Sequence, residues 1–152
     1  AATDIGADEL VSGDVTAPSA VSNLAAGSPT YSCLTLTWTA PGDDAGSGTA
    51  TSYDIRFSTS SIPDDPTFNA AEQVVGEPAP QVAASSESFQ VCGLGSATTY
   101  YFAIKTSDEV PNTSIISNNP NMATSDAPLR PRHRSAPFVG SFASIDLLQV
   151  GR

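Results

Sequence analysis

The sequence has little basic charge and no long apolar run. Its 152 residues include sixteen Asp or Glu but only six Lys or Arg, for a net charge of −10, and Lys105 and His133 are the sole lysine and histidine. A phosphate backbone would be repelled by this charge. No stretch approaches the roughly 18 apolar residues of a membrane helix. The sequence therefore predicts no nucleic-acid partner and no membrane span.

Charge is also scarce in total and unevenly placed. Only 14% of the residues are charged, below the usual quarter. Residues 1–126 carry fifteen acids against two bases, whereas residues 127–152 carry four arginines against one acid. A Ser- and Thr-rich surface is typical of secreted β proteins. Because the first residues lack Met and a signal pattern, we expect an extracellular or cell-surface protein whose leader has been removed.

Strand patterns dominate, and no segment predicts a convincing helix. Apolar residues alternate with polar ones in residues 32–38, 52–58, 88–94 and 100–106. Clusters of Gly, Pro, Asn and Asp separate these segments. Alternation between turn signals is typical of half-buried antiparallel strands, and several such strands predict a two-sheet sandwich.

Three consecutive aromatic residues mark a central strand. The sequence is only 7% aromatic, yet Tyr100, Tyr101 and Phe102 are adjacent. The alternation places Tyr100, Phe102 and Ile104 toward the core and Tyr101 on the outer face. This strand is therefore predicted to supply apolar side chains to both of its faces.

Several motifs together resemble the fibronectin type III family over residues 18–126. They are "PSAVSNLAA", "LTLTWTAPGDD", "ATSYDIRFSTS" and "GLGSATTYYFAIKTSDE". The resemblance implies an all-β, immunoglobulin-like sandwich of about seven antiparallel strands, with extended arms at residues 1–17 and 127–152. It also implies a tyrosine corner, since Tyr100 follows Leu94 by six residues. The core residues that it implies are Trp38, Tyr53, Leu94, Tyr100 and Phe102.

Two segments depart from the family pattern. Residues 60–87 form a long polar connection, in which we expect a short fourth strand near "EQVVG" and a loose loop. The final strand, "SNNPNMATS", is weakly apolar and contains Pro120.

The family fold places the two cysteines on neighbouring strands. Cys33 lies on the second strand and Cys92 on the fifth, and these strands are antiparallel neighbours in one sheet. The resemblance thus implies a cross-strand disulfide, which requires Cα atoms within about 7 Å. Such a bond forms in oxidising compartments. The alternative is a pair of free thiols.

Four acids in two loops are weak calcium candidates. Asp43 and Asp44 follow the second strand, and Asp108 and Glu109 follow the sixth, so the fold places both pairs at one end of the sandwich. Ca²⁺ takes six to eight oxygen ligands. No loop shows the spaced acids of an EF-hand, so we predict solvated loop acids and no bound metal.

No pattern predicts catalysis or a cofactor. His133 lies in the linker "RPRHRSAP", which offers no rigid support for a Ser-His-Asp site. The sequence contains no Gly-rich phosphate loop and no CxxC motif. We predict that the protein is not an enzyme.

The C-terminal arm is the most informative segment outside the domain. It joins a Pro-rich linker to an apolar stretch, "FVGSFASIDLLQV". A monomer rarely leaves so many apolar side chains in water. The residues predicted to form an interface are Phe138, Phe142, Ile145, Leu147, Leu148, Arg130, Arg132 and Arg134. Alternatively, residues 138–152 begin a second domain.

These patterns lead to two functional hypotheses. The first is a non-catalytic structural or adhesive subunit of a surface assembly or filament, joined through its arms to copies of itself or to another surface protein. The second is an accessory spacer, or a weak carbohydrate- or protein-binding module, of a larger secreted enzyme or adhesin. Sugar binding would need exposed aromatics, for which Tyr31 and Tyr101 are the candidates.

Overall fold

The computed structural model describes residues 15–110 and 112–129. Within them it shows seven strands and one short helix, which occur along the chain in the following order. The elements are β1 (Ala25–Gly27), β2 (Cys33–Thr39), β3 (Ser52–Ser58), α1 (Asp65–Ala70), β4 (Glu72–Gln73), β5 (Ser86–Cys92), β6 (Thr99–Ser107) and β7 (Asn121–Ala123).

The strands form two antiparallel sheets that pack face to face. One sheet has the order β1-β2-β5 and the other has the order β4-β3-β6-β7. The longest ladders run between β2 and β5 and between β3 and β6. The predicted all-β sandwich is confirmed, including the short fourth strand.

The core lies between the sheets and follows the predicted alternation. In β2, for example, Leu34, Leu36 and Trp38 are buried, while the residues between them are partly or fully exposed. Tyr100 packs against this core but is itself only partly buried. The largest cluster of buried residues consists of Val21, Leu24, Leu34, Leu36, Trp38, Tyr53, Ile55, Val74, Val91, Leu94, Phe102 and Ile104.

A buried polar link joins the two sheets beside Trp38. The Trp38 ring meets Tyr53 edge-on, with 5.3 Å between ring centroids. Tyr53 on β3 donates its hydroxyl proton to Glu87 Oε1 on β5 at 3.3 Å, and the Gln81 N–H donates to the same oxygen at 2.7 Å. Burial raises the pKa of Tyr53 to about 12, so its hydroxyl keeps the proton that it donates.

The tyrosine corner is present at the β5–β6 turn. The Gly95 N–H donates to the Tyr100 hydroxyl oxygen at 2.9 Å. Leu94, just before this turn, is buried in the core. The hydroxyl thereby ties the turn to the strand that follows it.

The prediction that the chain has no helix is wrong for residues 65–70. The Asp64 carboxylate accepts a hydrogen bond from the Thr67 N–H at 3.0 Å, and Thr67 Oγ1 lies 3.3 Å from the Asp64 N–H. These reciprocal bonds form a capping box, and Pro66 lies in the first turn, where a missing N–H costs nothing. The segment "DDPT" thus begins a helix instead of making only a turn.

Helix α1 covers the outer face of the β3–β6 sheet. Its Phe68 is 1% exposed and forms a second small core with Ile62 and Ala103. The Arg56 guanidinium and the Lys105 ammonium lie 5.1 and 5.2 Å from the Phe68 ring centroid. Strand β6 is therefore buried on both faces in its middle, and Tyr101 packs against this second cluster.

Beyond Tyr101, the segment before β7 bonds to β6 through polar side chains as well as through backbone groups. Strand β7 pairs only with Thr99–Tyr101. Farther along, the Ile104 N–H donates to Ser117 Oγ and the Thr106 N–H donates to Ser114 Oγ, both at 3.0 Å. Asn118 exchanges two hydrogen bonds with the backbone of Leu24, at 2.9 and 2.8 Å. The weakly apolar segment before β7 therefore closes this side of the sandwich with hydrogen bonds.

Candidate interaction surfaces

The Cys33–Cys92 disulfide is present and joins neighbouring strands of one sheet. The two residues are direct partners in the β2–β5 ladder, and their Cα atoms lie 4.1 Å apart. The bond connects residues 59 positions apart in the sequence. It constrains the outer face of the three-stranded sheet at the end where β5 leads into the tyrosine corner.

The four predicted loop acids lie near one another at the opposite end of the sandwich. Asp108 is 4% exposed, and its Oδ1 accepts from the backbone N–H groups of Val110 at 3.0 Å and of Asn112 at 2.7 Å. Its Oδ2 accepts from the Asn112 side-chain amide at 2.8 Å. The role of Asp108 is thus to organise the loop that follows β6.

Asp43 is the most perturbed acid of this cluster. Burial, followed by the nearby charges of Glu109, Asp44 and Asp108, raises its pKa to about 6. The backbone of the loop fixes the position of Asp43, because the Asp43 N–H donates a hydrogen bond to the Ser47 carbonyl oxygen at 2.6 Å. Gly42 has φ +91°, and a Cβ there would collide with the Ser47 carbonyl. The loop therefore holds Asp43 close to the other acids.

The calcium interpretation finds no support in this arrangement. Within residues 15–110 and 112–129, no three Asp, Glu, His or Cys side chains lie together in a way that could hold a metal ion. Asp108 already uses its carboxylate for loop hydrogen bonds. The cluster is described by the raised pKa of Asp43 and by the loop hydrogen bonds of Asp108.

Replacing Asp43 by asparagine should stabilise the protein at neutral pH. A folded-state pKa above the ordinary value of 3.8 means that protonation favours folding, so this stability is complete below pH 3.8 and is lost as pH rises through 6. A shift of this size corresponds to at most about 3 kcal/mol. Since solvent reaches the loop, we expect Asp43→Asn to gain about 1 kcal/mol at pH 7.5. Urea unfolding should show this gain shrinking toward pH 4, and a gain independent of pH would contradict it.

The two aromatic residues considered for sugar binding lie in different environments. Tyr31 is half exposed, whereas Tyr101 is partly buried and packs against the cluster under α1. Carbohydrate binding through these rings remains a prediction.

An open cleft, which we call the edge cleft, lies between β4 and β5. Its apolar lining consists of Phe57, Val74, Val75, Phe89 and Val91, and its volume is about 280 Å³. A second depression of about 350 Å³ adjoins it through Phe57, Glu72 and Gly93, and reaches Tyr100. The alternation of residues in the sequence could not predict this cleft. The cleft exists because β4 has only two residues and covers little of the seven-residue β5.

The predicted interface residues of the C-terminal arm lie outside the described residues. They are Arg130, Arg132, Arg134, Phe138, Phe142, Ile145, Leu147 and Leu148. His133 lies outside them too. The described chain ends at Leu129, which is 96% exposed. Over the part of the chain that the structure describes, no helix is long and apolar enough to cross a membrane.

Comparison with protein families decides the identity of the sandwich. The family model described as "Fibronectin type III domain" matches residues 18–118, well over half of the chain. The chain belongs to the fibronectin type III family. This fibronectin type III domain contains the disulfide, the acidic loops and the edge cleft described above.

The chain is similar to segments of much longer proteins. It is 34% identical over 129 residues to "Calcium-activated chloride channel regulator 1" of Macaca mulatta, covering 82% of this chain and 14% of that protein. It is 33% identical over 112 residues to "Chitinase A1" of Niallia circulans, covering 74% and 13%. It is 34% identical over 104 residues to "Exoglucanase A" of Cellulomonas fimi, covering 68% and 10%. The chain thus spans only a small part of each relative.

Solved structures agree with the fold. The FN1-FN3 domains of chicken CNTN1 match with a TM-score of 0.53 at 18% identity, covering 74% of this chain and 34% of that one. Domains of titin match with a TM-score of 0.51 at 20% identity, covering 72% and 33%. At such identities the likeness concerns the fold of the fibronectin type III domain alone.

Proposed function

We propose that the chain acts as a non-catalytic module of a larger extracellular protein, as a spacer or as a protein-binding unit. The observation that carries this proposal is that the chain spans only 10–14% of the relatives named above. Two of these relatives are named as enzymes for chitin and glucan. A domain that recurs beside different activities is suited to a general role in spacing or binding.

Two features of the domain support this role. The Cys33–Cys92 disulfide suits an oxidising compartment outside the cytosol. The buried titratable groups of the described residues serve structure, since Glu87 and Tyr53 link the two sheets and Asp108 holds its loop. No described histidine or cysteine thiol is available as a base or nucleophile, because the two described cysteines form the disulfide. Binding or spacing, not catalysis, is the function that we infer.

The size of the native polypeptide tests the module proposal. An antibody raised against residues 15–129 should detect, in the extracellular fraction of the source cells, a protein much larger than 15.6 kDa. Denaturing electrophoresis with reductant distinguishes a module within one long polypeptide from a short chain that is held in a non-covalent assembly. A band at 15.6 kDa alone would show a free-standing subunit, and an intracellular protein would contradict the localisation.

Association through the C-terminal arm is the second candidate function. It is supported by the apolar stretch at residues 138–150 and by the opposite charges of residues 1–126 and 127–152. In this view the basic linker and the apolar stretch bind the acidic surface of another copy or of another surface protein. A head-to-tail contact that does not close on itself would generate a filament.

A truncation ending at Ala127 tests the arm. All seven strands and the core of the domain lie before this position, so the truncated chain should remain folded. Sedimentation velocity should show association of the full chain and none of the truncated chain. Added salt should weaken the association in part, by screening charges without removing its apolar component. Association that survives the truncation would rule out the arm as the connector.

A further inference from the structure

The two long sides of the sandwich are closed to different extents. On one side β1 and β7 are close, and the Asn118 side chain bonds to the Leu24 backbone between them. On the other side β4 and β5 are the terminal strands of their sheets, and the edge cleft lies between them. The β4–β5 side is therefore the open side of the molecule.

Strand β5 has a free backbone edge along this cleft. It forms a seven-residue ladder with β2, whereas β4 on the facing sheet has only two residues. Beyond that ladder, no residue of Ser86–Cys92 makes a backbone–backbone hydrogen bond within the described ranges. An exposed strand edge next to apolar side chains is a site to which another chain segment can add.

The apolar character of the cleft extends to its rim. Val75 is 93% exposed, although it follows the buried Val74, and Phe57 and Phe89 are only partly buried. Glu72 lines both depressions of the cleft. An occupant of this surface should therefore carry apolar side chains together with positive charge.

The C-terminal arm has that composition. Three arginines at positions 130, 132 and 134 precede the apolar stretch of residues 138–150. The two cations of the described domain already pair with acids of that domain. Arg56 pairs with Asp54 at 2.9 Å, and Lys105 pairs with Asp65 at 2.8 Å. The unmatched acidic charge of the domain and the basic arm are thus complementary.

The length of chain that follows the described residues is sufficient to reach a neighbouring molecule. Ser125 bonds to Thr30 and Ala97, and residues 126–129 after it are all exposed. Residues 126–137 could span up to about 40 Å if extended, enough to pass beyond their own domain.

We propose that the edge cleft between β4 and β5 is the acceptor for the C-terminal apolar segment, residues 138–150, of a second copy of this chain. The apolar side chains of the segment cover Val75 and its neighbours in the cleft, and the arginines of the linker lie near Glu72. This inference rests on the second candidate function, association through the arm. Donor and acceptor are different surfaces, so the contact can repeat from copy to copy.

The test compares two matched variants of the full chain, Val75→Lys and Ile115→Lys. Both side chains are largely exposed, at 93% and 77%, so neither change should alter the thermal melt. Both add one positive charge, but Val75 lines the cleft, whereas Ile115 lies in the segment between β6 and β7. In sedimentation velocity, Val75→Lys should weaken association by at least about tenfold, because the new charge would be placed within the apolar contact that the segment makes with the cleft. Ile115→Lys should remain within about threefold of the wild type, as expected for a change outside the interface.

The outcomes distinguish the assignment of the cleft from the proposal that the arm mediates association. If Val75→Lys associates like the wild type while truncation at Ala127 abolishes association, the cleft assignment is overturned and the arm proposal stands. An equal effect of both variants would reflect charge alone and would also overturn the cleft. If the wild type remains a monomer at all concentrations, both proposals fail. In a monomer, protection from hydrogen exchange of the β5 amides that do not bond to β2, lost on truncation at Ala127, would show that the arm occupies its own cleft and would also overturn the proposal.

Discussion

Replacing Trp38 by alanine is expected to lower the free energy of unfolding by about 3–5 kcal/mol. The indole is 3% exposed and lies in the main core, where it meets Tyr53 edge-on. Its loss would leave a cavity beside the Tyr53–Glu87 link between the sheets. Since a domain of this size typically has about 5–15 kcal/mol of stability, a loss of this size removes a large fraction of the total. Urea unfolding monitored by far-ultraviolet circular dichroism measures the loss.

Trp38→Phe is the matched control for this prediction. The indole N–H is buried without a hydrogen-bond acceptor among the described residues, so phenylalanine removes volume but no hydrogen bond. We therefore expect a clearly smaller loss than with alanine. If Trp38→Ala melted within a few degrees of the wild type, the packing role of Trp38 would be wrong.

Removing the Cys33–Cys92 disulfide should cost about 4 kcal/mol, because the bond closes a long loop in the unfolded chain. Its ends are 59 positions apart, and they are already direct partners in the β2–β5 ladder. The folded state should therefore need little rearrangement when the bond is absent. A Cys33→Ser, Cys92→Ser double variant should keep the native circular dichroism spectrum while unfolding at a much lower urea concentration.

Thiol labelling provides the control for the disulfide. The native oxidised protein should show no labelled cysteine in intact mass spectra until it is reduced. If both cysteines were labelled without reductant, the bridge would be absent from the native protein. The large expected loss of stability in the double variant would then have no basis.

The sequence pattern was sufficient to predict the strands that supply the main core. In β2 the alternation is strict, because only one face of the strand meets the opposite sheet, whereas β6 is buried on both faces in its middle. The same reasoning placed Cys33 beside Cys92 once the family fold was recognised, and the structure shows them as direct partners. Local pattern and tertiary packing agree at these positions.

Helix α1 shows where local reasoning failed. Six residues are too few for a helical apolar period, and Asp64, Asp65 and Pro66 also favour turns. The capping box between Asp64 and Thr67 was the available signal. The burial of Ala103 beneath Phe68 could not be predicted either, because it depends on this helix covering the outer face of the sheet.

The candidate surfaces were only partly predictable. Asp43 lies within electrostatic reach of Asp44, Asp108 and Glu109, but the role of Asp108 depends on hydrogen bonds formed within its own loop. The edge cleft arises because β4 is short and β5 is long, which no single segment reveals. The polar closure by Ser114, Ser117 and Asn118 likewise depends on side-chain bonds to backbone groups distant in sequence.

We propose that residues 15–129 fold on their own as a module and that the C-terminal arm is available for another molecule. The most direct test compares the urea unfolding of this fragment with that of the full chain, both oxidised and at a concentration where the full chain is monomeric. We predict free energies of unfolding that agree within about 1 kcal/mol, the range expected when no core contact is lost. A loss of more than about 3 kcal/mol, or a failure to fold, would show that a terminal segment outside residues 15–129 belongs to the core. The same loss in the truncation ending at Ala127, which keeps residues 1–14, would assign that role to the C-terminal arm. That result would contradict both the module and the edge cleft as an acceptor for a neighbour.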